Sequence, residues 1–308
     1  MKSSISNSPA YRAARERAVF SHRHDRGVLR VEGGDRLSWL NGLLTNDVRA
    51  LEGGGACYAA WLTPQGRMIT DAFVVETGTE ALLDVPAPLA ASLAGRLDQL
   101  IFTEDVRVRD ASADVAVVEV GGPEAGAAWE TARQGLAGLL AERRVERPLP
   151  GLAVYIPRAQ LAGLLESLAH AGAVPLDDET ADVIRVEAGI PRFLVDMGED
   201  TIPLEARLED AISYTKGCYV GQEIIVRIRD RAQGRVARRL VRLRIDAPDA
   251  PAAGQPVRLD GKTVGTLTSA VWSPQANAPI GLAMLHRDAA APGTRVTLED
   301  GAVATVES

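Results

Sequence analysis

Lys216-Gly217-Cys218-Tyr219-Val220-Gly221-Gln222-Glu223 is the stretch on which the reading of this chain turns. Gly217 and Gly221 permit a tight backbone, and the residues that follow, as far as Arg231, can form a helix. A cysteine beside a lysine and near a helix start is expected to have a lowered thiol pKa, because both features favour the thiolate. Cys218 then reads as a nucleophile, a redox-sensitive group or a transient metal ligand. The competing reading is a buried structural cysteine, since free cysteine is among the most buried residue types. Local chemistry alone does not choose between them.

Outward from the motif, charge is uneven. Residues 216–239 hold seven basic side chains (Lys216, Arg227, Arg229, Arg231, Arg235, Arg238, Arg239) against Glu223 and Asp230, whereas the 308-residue chain carries a net −7. Arg227, Arg229 and Arg231 alternate with Val226 and Ile228. They suit an anionic ligand bearing carboxylates or the phosphates of an RNA, or else form a solvated face. Aromatic residues that would stack bases are absent from the stretch, which argues against direct nucleic-acid binding. Apolar content of 46% and charged content of 24% are ordinary for a globular protein. No apolar run approaches the roughly 18 residues of a membrane span, so no membrane partner is expected. Met1–Phe20 lacks the apolar core of a secretory signal; its Arg-rich start is a weak hint of an organelle transit peptide, set against Glu16. With two cysteines and no CxxC pair, a disulfide scaffold or resident zinc or iron–sulfur site is not expected, and a reducing, cytoplasmic home is the default. His22 and His24 lack acidic or cysteine partners at ligand spacing, so no metal site is expected there.

The first hundred residues read as strands alternating with helices. Strand-like runs fall at Gly27–Val31, Cys57–Leu62, Met68–Val75 and Ala81–Val85, with a hairpin turn at Thr63–Arg67. Helical patterns follow Asp35 and run along Leu89, Leu93, Leu97 and Leu100. A second block has strands at Val115–Val120 and Val154–Ile156, and helices over Glu124–Leu140, around Leu161–Leu168, and over Asp178–Ala188, the last capped by Asp177 or Asp178. After Arg239 the texture becomes all-β: Leu240–Ile245, Pro256–Leu259, Thr263–Val271, Ile280–Leu285, Arg295–Leu298 and Ala302–Val306, with Asp260-Gly261-Lys262 as a hairpin turn.

The octapeptide matches every fixed position of the pattern Lys-Gly-Cys-Tyr-x-Gly-Gln-Glu of the YgfZ family. The segments Trp39–Val48, Leu62–Met68 and Arg185–Pro191 also resemble that family, in the right order. YgfZ proteins are relatives of the glycine-cleavage T-protein, an aminomethyltransferase. The resemblance implies an α+β fold in a three-domain T-protein-like arrangement: residues 1–105 as an N-terminal α+β folate-binding part, 106–238 as a second α+β part carrying the motif, and 239–308 as a small β-barrel. It implies a tetrahydrofolate or a derivative in a central opening. Glu187 matches the glutamate that holds the pterin ring, where a carboxylate can accept two hydrogen bonds from an amino-pyrimidine edge. Asp71 is the nearest match to the aspartate beside the reacting folate nitrogen, although Thr70-Asp71 stands where T-proteins commonly have paired aspartates. Some YgfZ members place tryptophans near the folate at positions corresponding to Gly27 and Ala181, and this chain has neither.

Three readings follow. The first is a folate-binding accessory protein for iron–sulfur cluster assembly or repair, serving enzymes such as those that methylthiolate tRNA. In it Cys218 and Asp71 carry the chemistry, Glu187, Asp71 and Arg227 hold the folate, and Lys216, Gly217, Tyr219, Gly221, Gln222 and Glu223 shape the loop. Its partners are a folate and iron–sulfur proteins or assembly factors. The second is a tetrahydrofolate-dependent aminomethyltransferase, which is the enzyme class this chain would join. The third is a docking module that has lost folate.

Overall fold

Alternating apolar and polar side chains build three β units in this computed structural model, which describes residues 8–231 and 234–307. The first sheet is antiparallel and has the order β3 (Gly55–Leu62), β4 (Met68–Glu76), β5 (Glu80–Pro86), β2 (Arg26–Glu32), β6 (Arg107–Asp110). The expected turn joins β3 to β4, with Gly66 at φ +73° and its N–H donating to Thr63 O at 2.9 Å. Helices Arg36–Leu43 and Ala90–Asp98 cover one face, burying Leu40, Leu44, Leu93 and Leu97 against Val31, Val74 and Leu83.

The second sheet has the order β10 (Val174–Pro175), β1 (Val19–His22), β7 (Val115–Gly121), β9 (Gly151–Pro157), β8 (Ala141–Val145). The chain's first strand therefore lies in the second sheet, and chain order and sheet membership part company there. The helix expected over Glu124–Leu140 is shorter than its pattern suggested. It ends at Ala132, passes through one 3-10 turn, and gives way to β8. Gln160 Oε1 accepts from the backbone of Ala137 and Gly138 at 3.0 and 3.2 Å and holds that stretch extended. Helix Asp178–Glu187 starts where expected, with the Asp177 carboxylate accepting Thr180 N–H at 2.8 Å, and stops at Gly189 with φ +68°.

The α+β class and the closing barrel are as the sequence suggested. All six late strands form: β11 (Arg238–Asp246), β12 (Pro256–Leu259), β13 (Lys262–Ser273), β14 (Ala278–His286), β15 (Arg295–Thr297) and β16 (Val303–Val306), closed in the order β11-β14-β13-β12-β15-β16. Asp260 and Gly261 both take positive φ, as a two-residue hairpin of type I′ requires.

The two sheets meet face to face. Val28, Val75 and Leu82 of the first pack on Val115, Val117, Ala153 and Tyr155 of the second. A chain of buried charges crosses that contact. Asp84, 1% exposed, accepts from Arg26 Nε at 2.5 Å and from Tyr155 O–H at 2.8 Å. Arg143 of β8 donates to Tyr155 Oη at 3.2 Å, lies 3.6 Å from the Phe73 ring centroid, and reaches Glu119, which Arg23 also holds. Burial opposes the Arg26 charge, but the Asp84 and Asp71 carboxylates outweigh it and hold its pKa above the usual arginine value. Breaking such a pair strands an uncompensated charge, at a cost of about 3–5 kcal/mol. Asp84→Ala is therefore expected to lower the unfolding free energy by about that amount, read from the urea midpoint. A loss below about 1 kcal/mol would mean that the apolar contact alone joins the sheets.

Candidate functional site

Cross-strand register puts Asp71 at the mouth of this polar chain. Tyr58 of β3 stands opposite Phe73 of β4, which stands opposite Asp84 of β5, so the three form a row across the sheet. Asp71 lies two residues before Phe73, on the same face. Its Oδ2 accepts from Tyr58 O–H at 2.9 Å and its Oδ1 from Arg26 Nη1 at 3.3 Å, with the residue 5% exposed. Burial first, and then the Asp71 charge, push the Tyr58 phenol well above its ordinary pKa, so it stays a donor. Asp71 is thus a buried carboxylate with fixed orientation. Tyr58 and Arg26 were not anticipated, because nothing in their local sequence marks them.

Glu187 ends its helix under a second helix that the sequence reading missed, Pro9–Glu16. The signal was present: Ser8 caps that helix, accepting from Tyr11 N–H at 3.3 Å, and Pro9 occupies its first turn. The Glu187 carboxylate is fully engaged. Oε1 accepts from Tyr11 O–H at 2.8 Å, Ser273 Oγ at 2.6 Å and Gln275 N at 3.4 Å, while Oε2 accepts from Tyr11 O–H at 2.9 Å and Arg15 Nη2 at 2.5 Å. Tyr11, Arg15 and Gln275, with Pro274, also line a pocket of about 300 Å³. Among the described residues, Glu187 and Asp71 share no hydrogen-bond partner. Glu187 can accept from a further donor only if Tyr11 or Arg15 gives up its bonds. The Arg15 side chain is 40% exposed and belongs to a separate helix, so it has room to leave.

The motif loop is where the sequence reading needs most correction. Lys216 turns away from Cys218: its ammonium donates to the carbonyls of Asn41, Leu44 and Asn46 at 2.6, 2.7 and 2.8 Å. The motif helix begins at Gln222, four residues after Cys218, so Cys218 does not stand at the helix start. The thiol that Lys216 influences is Cys57. Burial raises Cys57 to about 12 against the opposing pull of Lys216, and burial lowers Lys216 to about 8. Cys218 itself is exposed.

The rest of the octapeptide docks the loop. Tyr219 is 7% exposed, packs with Leu62, Met68 and Ile225, and lies 5.1 Å under the Lys216 ammonium. Gly221 has φ +82°, and a Cβ there would lie 2.5 Å from Thr63 O; a Cβ on Gly66 would lie 2.8 Å from Ile224 Cβ. Gly217, by contrast, is exposed and has open space around it. Gln222 opens the helix half-buried and Glu223 follows it exposed. Three of the four resembling segments thus meet: the motif sits on the turn of Leu62–Met68 and is tied by Lys216 to Trp39–Val48. Arg227 is exposed on the motif helix, with no hydrogen bond or ion pair among the described residues, and no contact joins it to Asp71 or Glu187. Gly27 has no room for an aromatic side chain, since even a Cβ would lie 2.7 Å from Ser112 Oγ and 2.9 Å from Ala90 Cβ.

This fold defines a class. The GCVT N-terminal domain matches residues 8–135 and the glycine cleavage T-protein C-terminal barrel domain matches residues 238–306. The chain is glycine-cleavage T-protein-like in both parts. An aminomethyltransferase of Nostoc is 29% identical over 300 residues, covering 89% of this chain and 78% of the relative. A chloroplastic protein of Arabidopsis thaliana, named as a transferase, is 27% identical over 289 residues, covering 88% of this chain and 66% of its own length. The crystal structure of the glycine cleavage system aminomethyltransferase T from Bartonella henselae superposes with a TM-score of 0.84 at 20% identity, covering 97% of this chain and 87% of that one.

Two outcomes follow from the loop geometry. Gly221→Ala forces both a strained φ and a backbone clash and is expected to cost about 2–3 kcal/mol, while Gly217→Ala should be nearly neutral; equal urea midpoints would refute the docking role. At pH 8 the native protein should react with one equivalent of Ellman's reagent quickly, through Cys218. Cys57, half-buried and pushed up to about 12 by burial, should react far more slowly until the protein unfolds. A fast phase that survives Cys218→Ser would contradict that assignment.

Proposed function

We propose that this chain binds a reduced folate and transfers a one-carbon unit as a tetrahydrofolate-dependent aminomethyltransferase. The observation that carries the reading is Asp71, a buried carboxylate fixed by Tyr58 and Arg26 on a strand of the GCVT-type domain. The relatives named aminomethyltransferase support it. A bound reduced folate supplies the nucleophilic nitrogen that accepts the one-carbon unit. Asp71 presents a fixed lone pair at which a proton can be held or passed, and its neighbours keep bulk water from competing for it. Glu187 grips the pterin edge once Tyr11 and Arg15 release it.

A second reading is favoured by one observation. Cys218 is an exposed thiol on a loop pinned by Lys216 on one side and by buried Tyr219 on the other. That suits an accessory role towards iron–sulfur proteins, as the YgfZ-like octapeptide implies.

Methylene-tetrahydrofolate formation from an aminomethylated lipoyl carrier separates the two. Asp71→Asn is expected to slow it by about 10²-fold or more, and Glu187→Ala to weaken tetrahydrofolate binding by calorimetry about tenfold, with Cys218→Ala unchanged in both. No product from the wild type defeats the transferase reading. Failure of Cys218→Ala alone to support iron–sulfur enzymes in cells would favour the second.

A further inference from the structure

A cleft of about 960 Å³ opens at one end of the barrel, lined by neither Asp71 nor Glu187, and its walls are rich in arginine. Arg239 leaves β11 opposite Leu285 of β14, Arg287 stands in the turn after β14, Arg235 lies in the segment leading into β11, and Arg207 follows the 3-10 turn Pro203–Ala206. The two carboxylates in the lining are already engaged: Glu307 holds Arg242 at 2.9 Å, and Asp288 lies 3.7 Å from Arg287. Arg207, Arg235 and Arg239 have no hydrogen-bond or ion-pair partner among the described residues. The neighbouring arginines with structural tasks are paired, Arg238 with Asp200 and Glu205 and Arg242 with Glu307. Three unpaired guanidinium groups around one cleft, in a chain of net charge −7, are a local excess that the fold does not use.

Arg207 ends the 3-10 turn Pro203–Ala206 in the left-handed conformation, φ +61°, so glycine can replace it there without backbone strain. The remaining walls are aliphatic, including Val236, Ala290 and Pro292, and among the described residues the lining has no aromatic side chain on which a base could stack. The volume is that of a small-molecule pocket, and a guanidinium fork matches carboxylate and phosphate oxygens.

We propose that this cleft binds a short linear polyanion, a chain of phosphate or carboxylate groups without an aromatic ring, independently of the folate reading. Calorimetry on the full chain at low salt tests it with two probes, tripolyphosphate and tetra-γ-glutamate. Saturable binding of either one, weakened by added salt, is expected, and the probe that binds identifies phosphate or carboxylate as the source. Arg239→Ala and Arg207→Gly should each weaken it about tenfold, while Arg258→Ala, an exposed barrel arginine outside the cleft, should not. Arg207→Gly relieves the positive φ, so it should fold at least as well as the wild type and melt no lower. Binding of neither probe, or binding indifferent to Arg207 and Arg239, overturns the proposal.

Discussion

Asp84 is the group on which the arrangement of the two sheets depends. It belongs to one sheet and is satisfied by Tyr155 of the other and by Arg26 on the neighbouring strand of its own. Apolar contacts between the sheets tolerate small shifts, because dispersion has no direction. A buried carboxylate with two fixed donors does not, because losing either leaves a charge without solvent. The same Arg26 also reaches Asp71. The carboxylate proposed to work on the folate is therefore oriented by the interaction that aligns the sheets, so site geometry and fold stability are coupled through one guanidinium.

The motif octapeptide is bound up with architecture as much as with chemistry. Lys216 satisfies three carbonyls of the Asn41–Asn46 segment, Tyr219 fills the core under it, and Gly221 permits contact with Thr63. These contacts fasten the segment after the second sheet onto the hairpin of the first. Cys218 is left outside that set, which separates its surroundings from those of Cys57. The two thiols differ because Cys218 is exposed and Cys57 is half-buried.

Local patterns in the sequence carried much of the fold. The six barrel strands, the Thr63–Arg67 hairpin and the cap at Asp177 were legible because each depends on residues close together in the chain. The helix expected through Leu140 failed because a side chain from elsewhere, Gln160, captured the backbone where glycines had weakened the helix. Among the candidate site residues, Asp71 and Glu187 were singled out through resemblance. Their partners were not. Tyr11 reaches Glu187 across 176 residues, and no periodicity in either segment encodes that meeting.

The sequence by itself determined the α+β class, the barrel and the identity of the chemically capable side chains, because side-chain alternation, caps and turn residues act over a few positions. Tertiary structure alone decided what those side chains do. It turned Lys216 away from Cys218 towards carbonyls as many as 175 residues distant, closed Glu187 under Tyr11 and Arg15, left Arg227 in solvent, and gathered unpaired arginines at the barrel's end. The physical reason is that a buried polar group takes whichever partner the packed chain brings within hydrogen-bond reach. That choice is made between elements, not within them.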